Sequence, residues 1–130
     1  MSISLPQSLL DRIDEYVRLL GFVGRSELVR EAVRRFIESI GVEEDPDRQL
    51  HWIIVTITEH SQGYSVDQKV IEVVHAHQTL VKAFYHQLLR DGVCANIAVV
   101  EASVKEASSL LRELRRLRGV LRTWFVPVQV

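Results

Sequence analysis

Four of the five histidines and the single cysteine fall between positions 60 and 94. His60, His75, His77, His86 and Cys94 offer imidazole and thiolate donors, a set that suits nickel, copper, zinc or cobalt; carboxylate-rich sets suit magnesium or calcium. Their spacing is that of neither a zinc finger nor a helix-borne H-E-x-x-H metalloprotease. Cys94 with His86 is also the one nucleophile–base pair on offer. No third residue to orient the base is identifiable, and no paired-carboxylate pocket or Gly-rich phosphate loop is present. The chain therefore reads as a binding protein and not as an enzyme. A solitary cysteine on an apolar strand is also a common core residue, and His77 falls on the packed side of its helix. Spacing alone leaves metal binding and simple packing both open.

The elements that must position these residues follow from periodicity. From Leu50 the chain reads strand, helix, strand, strand, helix, strand. Trp52, Ile54, Thr56 and Thr58 alternate with Ile53, Val55 and Ile57, a run rich in β-branched residues. Ser65 to His77 reads as a helix with Val66, Val70, Val73, Val74 and His77 on one side. Leu80–Leu89 is a strand, Asp91-Gly92 a hairpin signal, and Cys94–Glu101 the return strand. Val104–Arg118 is a helix buried through Ala107, Leu110, Leu111, Leu114 and Leu117, and Val120–Val128 closes the sheet. This order is a βαββαβ ferredoxin-like unit spanning 50–130. Such domains are similar to ACT-type, amino-acid-binding regulatory domains. Arg112, Arg115, Arg116, Arg118 and Arg122 form the densest basic cluster, expected to be a solvated face paired with Glu106 and Glu113.

Ahead of this unit, 42–49 is an acidic linker with four carboxylates and a proline. Residues 1–41 read as a short strand, Ser2 to Leu5, then two helices joined by a turn at Gly21 to Arg25. Leu9, Ile13, Tyr16, Val17 and Leu20 define one side of the first helix, and Leu28, Val29, Ala32, Val33, Phe36, Ile37 and Ile40 one side of the second. Pro6 suits the start of the first helix, Ser26 is expected as N-cap of the second, and Gly41 as its stop. A strand this short needs a partner for its backbone, and a unit of about 40 residues rarely supports a core alone. A second copy is the natural supplier. Paired antiparallel strands would make a ribbon of a kind that enters the major groove of DNA.

Composition is neutral on these points. The net charge is -1, and the first 41 residues hold six arginines against six acidic residues, so DNA binding must arise from placement of charge. No run of apolar residues is long enough to span a membrane, and no signal peptide is recognisable. One cysteine fits a reducing, cytoplasmic setting.

Ile3-Ser4-Leu5-Pro6, Leu9-Leu10, Gly21-Phe22 and Gly24-Arg25-Ser26-Glu27-Leu28-Val29-Arg30-Glu31-Ala32 resemble the ribbon-helix-helix class of transcription regulators. The resemblance implies that Ser2 and Ser4 face bases and that Arg25, Ser26 and Glu27 lie at a phosphate clamp. Longer members begin earlier and present a basic residue on the strand. Two hydroxyls here imply modest base discrimination, a contribution from the flanks, or a start upstream of Met1. Over nearly the whole chain, Glu59-His60, Val74-His75-Ala76-His77, Leu80 to His86, Cys94 to Val100 and Leu117 to Val120 resemble the nickel-responsive regulator family. This implies a homodimer through residues 1–41, a homotetramer through 50–130, and nickel held between subunits by His75, His86 and Cys94. The family's second strand histidine is Leu88 here. Either His77 or His60 replaces it, or an exogenous ligand does, or the site is vestigial and the domain serves oligomerisation or the sensing of an amino-acid-like molecule.

Overall fold

The computed structural model describes residues 2–40, 45–61 and 64–128. The chain divides into two compact units, 1–41 and 42–130. The expected stop at Gly41 and the first residues of the linker, 42–44, lie outside the described residues.

In the first unit α1 (Gln7–Leu20) starts directly after Pro6, whose carbonyl accepts from Leu9 and Leu10 N–H at 3.0 and 3.1 Å. It ends on Gly21 at φ 76°, where a left-handed residue lets the Phe22 N–H return to the Val17 carbonyl at 3.1 Å. Helix α2 (Arg25–Ile40) begins one residue before the expected cap. Leu28 N–H bonds the Gly24 carbonyl, so Gly24 takes the cap position and Ser26 lies inside the first turn. Ser2–Leu5 forms no strand, because a single chain supplies no backbone partner for it. The apolar sides stay largely uncovered: α1 buries only Ile13, and α2 buries none of its described residues.

The second unit is a four-stranded antiparallel sheet in the order β2-β3-β1-β4, from β1 (Leu50–Glu59), β2 (Val81–Arg90), β3 (Val93–Ala102) and β4 (Val120–Val128). Helices α3 (Val66–Ala76) and α4 (Val104–Arg116) cover one face. That face takes Trp52, Ile54, Thr56 and Thr58 from β1 and Cys94, Asn96, Ala98 and Val100 from β3, all buried. The indole N–H of Trp52 finds the Ala102 carbonyl at 2.9 Å. On the other face Ile53, Val99, Tyr85, Trp124 and Val126 are exposed.

Helix α4 is set by a capping box. Ser103 Oγ accepts from Glu106 N–H, and the Glu106 carboxylate accepts from Ser103 N–H. The helix ends at Arg116, two residues before the expected end, since Leu117 is already extended. The arginine cluster is also arranged differently from the expected acid pairing. Glu106 is occupied by its box and by Gln49, and Glu113 by His77. Arg115, Arg118 and Arg122 lie instead over the rings of Phe125, Tyr64 and Trp124.

Two glycines fix the end of β1. Gly92, at φ 72° in the β2–β3 turn, accepts from His60 N–H at 2.7 Å. Gly119, at φ 92°, accepts from Glu59 N–H at 2.8 Å, and a Cβ there would meet the Glu59 carbonyl and Val66 Cβ at 3.0 Å.

Candidate functional site

Strand register gathers the donors. Thr58 of β1, Cys94 of β3 and Leu88 of β2 lie side by side, and Thr56, Asn96 and His86 form the next row. Cross-strand partners point to one face of a sheet, so Cys94 and His86 both project toward the helix-covered side. Cys94 is 3% exposed. His60, one residue beyond β1, brings its Nε2 to 3.8 Å from Cys94 Sγ.

Asp67 completes the group from the first turn of α3. Ser65 caps that helix by accepting from Gln68 N–H, and the turn sets Asp67 down at 9% exposure. Its Oδ1 accepts from Thr58 Oγ1 at 2.7 Å and from Asn96 Nδ2 at 3.4 Å. Its Oδ2 pairs with His60 Nε2 and faces His86 Nε2 at 3.8 Å. Donor atoms of His60, Asp67 and Cys94 all lie within 4.8 Å of one another.

The tautomer of His86 is determined by its neighbours. Asn96 Nδ2 reaches the Thr56 carbonyl, which can only accept, so Asn96 Oδ1 is left to take the His86 Nδ1–H at 2.8 Å. A neutral His86 then carries its lone pair on Nε2, the nitrogen 3.8 Å from Asp67 Oδ2, and a protonated one carries a second N–H there. Burial raises the Asp67 carboxyl, but the hydrogen bonds from Thr58 and Asn96, with the charge and hydrogen bond of His60, outweigh it. The group lies below the ordinary aspartate value. Burial, and then the Asp67 charge, push the Cys94 thiol up. An imidazole, a thiol and a carboxylate thus converge, with His86 beside the carboxylate, a donor set that fits a borderline divalent metal.

Of the histidines expected at a metal, His60 and His86 are brought to this cluster and two are not. His77 caps the end of α3, where its Nε2 contacts Glu113 of α4 at 2.5 Å. Within the single chain it lies with Glu113 and joins no donor cluster among the described residues. His75 is exposed in the last turn of α3 and joins no donor cluster among the described residues. Leu88 is 60% exposed, so it does not pack the core of the single chain.

At the other candidate surface, Ser2, Ser4 and Ser26 are exposed. Arg25 is already engaged: its guanidinium spans both carboxylate oxygens of Asp14 at 2.7 and 2.8 Å, holding Asp14 below the usual carboxylate range. The Glu27 carboxylate accepts from Val23 N–H at 2.6 Å.

Residues 1–39 match the family described as ribbon-helix-helix protein, copG family, and residues 53–126 match the NikR C terminal nickel binding domain. A protein of Haloarcula marismortui named as a nickel-responsive regulator is 31% identical over 93% of this chain and 86% of its own length. One from Helicobacter acinonychis is 33% identical over 92% of this chain and 81% of its own. This chain belongs to the nickel-responsive regulator family. It is a metal-modulated, DNA-binding transcription regulator with a ribbon-helix-helix domain followed by an ACT-like α/β domain. Two solved structures share the fold. An uncharacterized protein of Thermotoga maritima superposes with a TM-score of 0.56 at 17% identity, over 63% of this chain and all of the other. The ACT domain of a GTP pyrophosphokinase from Chlorobium tepidum gives 0.53 at 15%, over 61% of this chain and all of the other. No helix of the described residues is long and apolar enough to cross a membrane.

What sequence reasoning missed in this family member is Asp67. An acid in the first turn of a helix ordinarily needs no explanation beyond the helix dipole. The available signal was the inward phase of Thr56, Thr58 and Asn96, three polar residues on a face otherwise apolar.

Proposed function

We propose that the effector is nickel and that the regulator works in the cytoplasm as a homotetramer on double-stranded DNA. Dimers form through the 1–41 unit, and pairs of dimers join through the 42–130 unit. The exposed apolar sides of α1 and α2 and the unpaired Ser2–Leu5 segment support the first contact. The uncovered sheet face of Ile53, Val99, Trp124 and Val126 supports the second. Ser2 and Ser4 face the bases, while Arg25, Ser26 and Glu27 sit at the phosphate end of α2, where free N–H groups favour an anion. Because Asp14 and Glu27 hold carboxylates there, the clamp relies on backbone and hydroxyl donors more than on the Arg25 charge.

The observation that carries the metal reading is the approach of His60 to Cys94 at 3.8 Å. His60 takes over from the ligand absent at Leu88, beside His86 and Cys94, and His75 of a second chain links the site across the assembly. Nickel supplies a common tie between domains. His75 and Cys94 on different chains then favour one spacing of the paired ribbons over others, the differential contact that allostery requires.

Nickel titration of the full-length protein, followed by calorimetry and absorption, tests this. Stoichiometric binding with a thiolate charge-transfer band is expected, with the band lost in Cys94→Ala and the affinity reduced in His60→Ala and His86→Ala. Wild-type binding no tighter than that of Cys94→Ala overturns the metal assignment. A stable monomer in light scattering overturns the assembly.

A further inference from the structure

We infer that Asp14 is a positioning residue for DNA binding: it grips the Arg25 guanidinium by one edge and so presents the opposite edge to a backbone phosphate. The inference rests on the reading that the start of α2 meets DNA phosphate, and it adds a residue of α1 that touches no DNA itself.

The arginine side chain carries five N–H groups in one plane, forked along its edges. Nε donates to Asp14 Oδ1 at 2.7 Å and Nη2 to Oδ2 at 2.8 Å, two parallel bonds that take up one edge. Of the five groups three are left, two on Nη1 and one on Nη2, and the edge they form matches two oxygens of a phosphate. The side chain is therefore aimed before DNA arrives. Asp14 is itself well anchored, because it follows Ile13, the residue through which α1 is buried. The hydrogen bond from Arg25 is the main influence on the Asp14 carboxyl and lowers it, so the pair is ionised at neutral pH.

Stability alone is a weak reason for the pair. Both side chains are partly exposed, and an ion pair in that setting adds little to a fold. What two parallel bonds fix is direction. The place of Arg25 in the unit makes that direction useful. It borders one depression with Ser26, Ile3 and Leu5, beside the extended segment, and a second with Gly24 and Arg30 around the turn. It thus stands between the segment that carries Ser4 and the first turn of α2, and a phosphate on its outer edge is held in fixed relation to both. The turn is braced to match: Phe22 N–H returns to the Val17 carbonyl, and Glu27 accepts from Val23 N–H. Because Asp14 neutralises Arg25, the contact is made by aimed N–H groups with no net charge. Charge alone gives the opposite expectation, since a carboxylate near DNA repels phosphate and its removal would tighten binding.

Fluorescence anisotropy of the full-length protein, with nickel(II) chloride present, tests this on a duplex selected by wild type from a random-sequence pool and on an unselected duplex. Asp14→Asn and Arg25→Lys are expected to weaken binding to both about tenfold. Lysine keeps the charge but lacks the planar fork that serves Asp14 and a phosphate together. Asp14→Glu, which restores a carboxylate, is expected to bind more tightly than Asp14→Asn. In an Arg25→Gln background Asp14→Asn is expected to have no further effect, a dependence that a general loss of folding would not produce. Unchanged or tighter binding by Asp14→Asn overturns the inference; tighter binding with a steeper salt dependence makes Asp14 a screen for the Arg25 charge. A loss from Asp14→Asn that is equal with and without Arg25 overturns it too. So does Arg25→Lys within a few-fold of wild type, a comparison that still decides if Asp14→Asn impairs folding. Failure of wild type to select any duplex overturns the DNA reading beneath it as well.

Discussion

In the 42–130 unit Trp52 is 2% exposed, whereas in the 1–41 unit Ile3 and Leu20 remain 62% and 67% exposed. Both units carry apolar residues at the right period, but only one closes a core from its own chain. A sheet with two helices on one side can bury a full row of strand residues. Two helices and a four-residue extended segment cannot, and the shortfall falls on the side where a second copy would pair. Exposure therefore has two meanings in this molecule. On the proposed assembly, exposure in the first unit marks surface without which no core closes, and on the open sheet face of the second it marks surface for a contact added to a core already complete.

The contrast can be broken most severely at Trp52. Trp52→Ala removes the largest fully buried side chain and its bond to Ala102, and is expected to cost about 3–5 kcal/mol. Denaturant midpoints of that variant should shift by the same amount at every protein concentration. Ile3→Asp should act differently, costing about 1.5–3 kcal/mol per chain through lost burial in the dimer. Its melting temperature should depend on concentration and its light-scattering mass should fall; concentration-independent melting of the wild type would remove the distinction drawn here.

A smaller effect is expected at the α4 cap. Ser103→Ala should cost about 1 kcal/mol. The Ser103 backbone N–H, then the Gln49 and Ser103 side chains, hold Glu106 below its ordinary value. A depressed folded pKa contributes stability above the unfolded value of about 4.3 and loses it as pH falls through the folded value. Acid titration of stability should therefore be shallower in Ser103→Ala than in wild type. The smallest change in stability is expected for Ser2→Ala and Ser4→Ala, which should leave melting unaltered while changing base preference in gel-shift titrations. Affinity for all sequences should still fall with added salt.

Much of the second unit was legible because period-two and period-3.6 patterns are strong there. Strand β4 lies where the pattern puts it, and α3 runs between Ser65 and His77 as expected. The first unit was legible as helices, yet not at its edges. The Ser26 cap failed because Gly24 can adopt the cap position with no side chain, leaving Glu27 to reach back to Val23. At the candidate metal site, His60, His86 and Cys94 could be nominated from donor type. Asp67 could not, because its role depends on α3 being laid across Thr58 and Asn96, a tertiary fact with no local spacing to announce it. His77 could be nominated in the same way, but its contact with a glutamate on α4, distant in sequence, could not.

A genetic screen for metal-blind regulators would be expected to return Gly119, a residue with no donor atom. Its missing side chain is what lets the start of β4 lie against the Glu59 carbonyl and Val66, at distances where any Cβ would force movement. Glu59 precedes His60 and Val66 precedes Asp67, so one displaced backbone would shift both of these paired residues at once. Selection acting on effector response would therefore police this position as strictly as the ligands, and relatives differing there would be expected to differ in the ion they answer to.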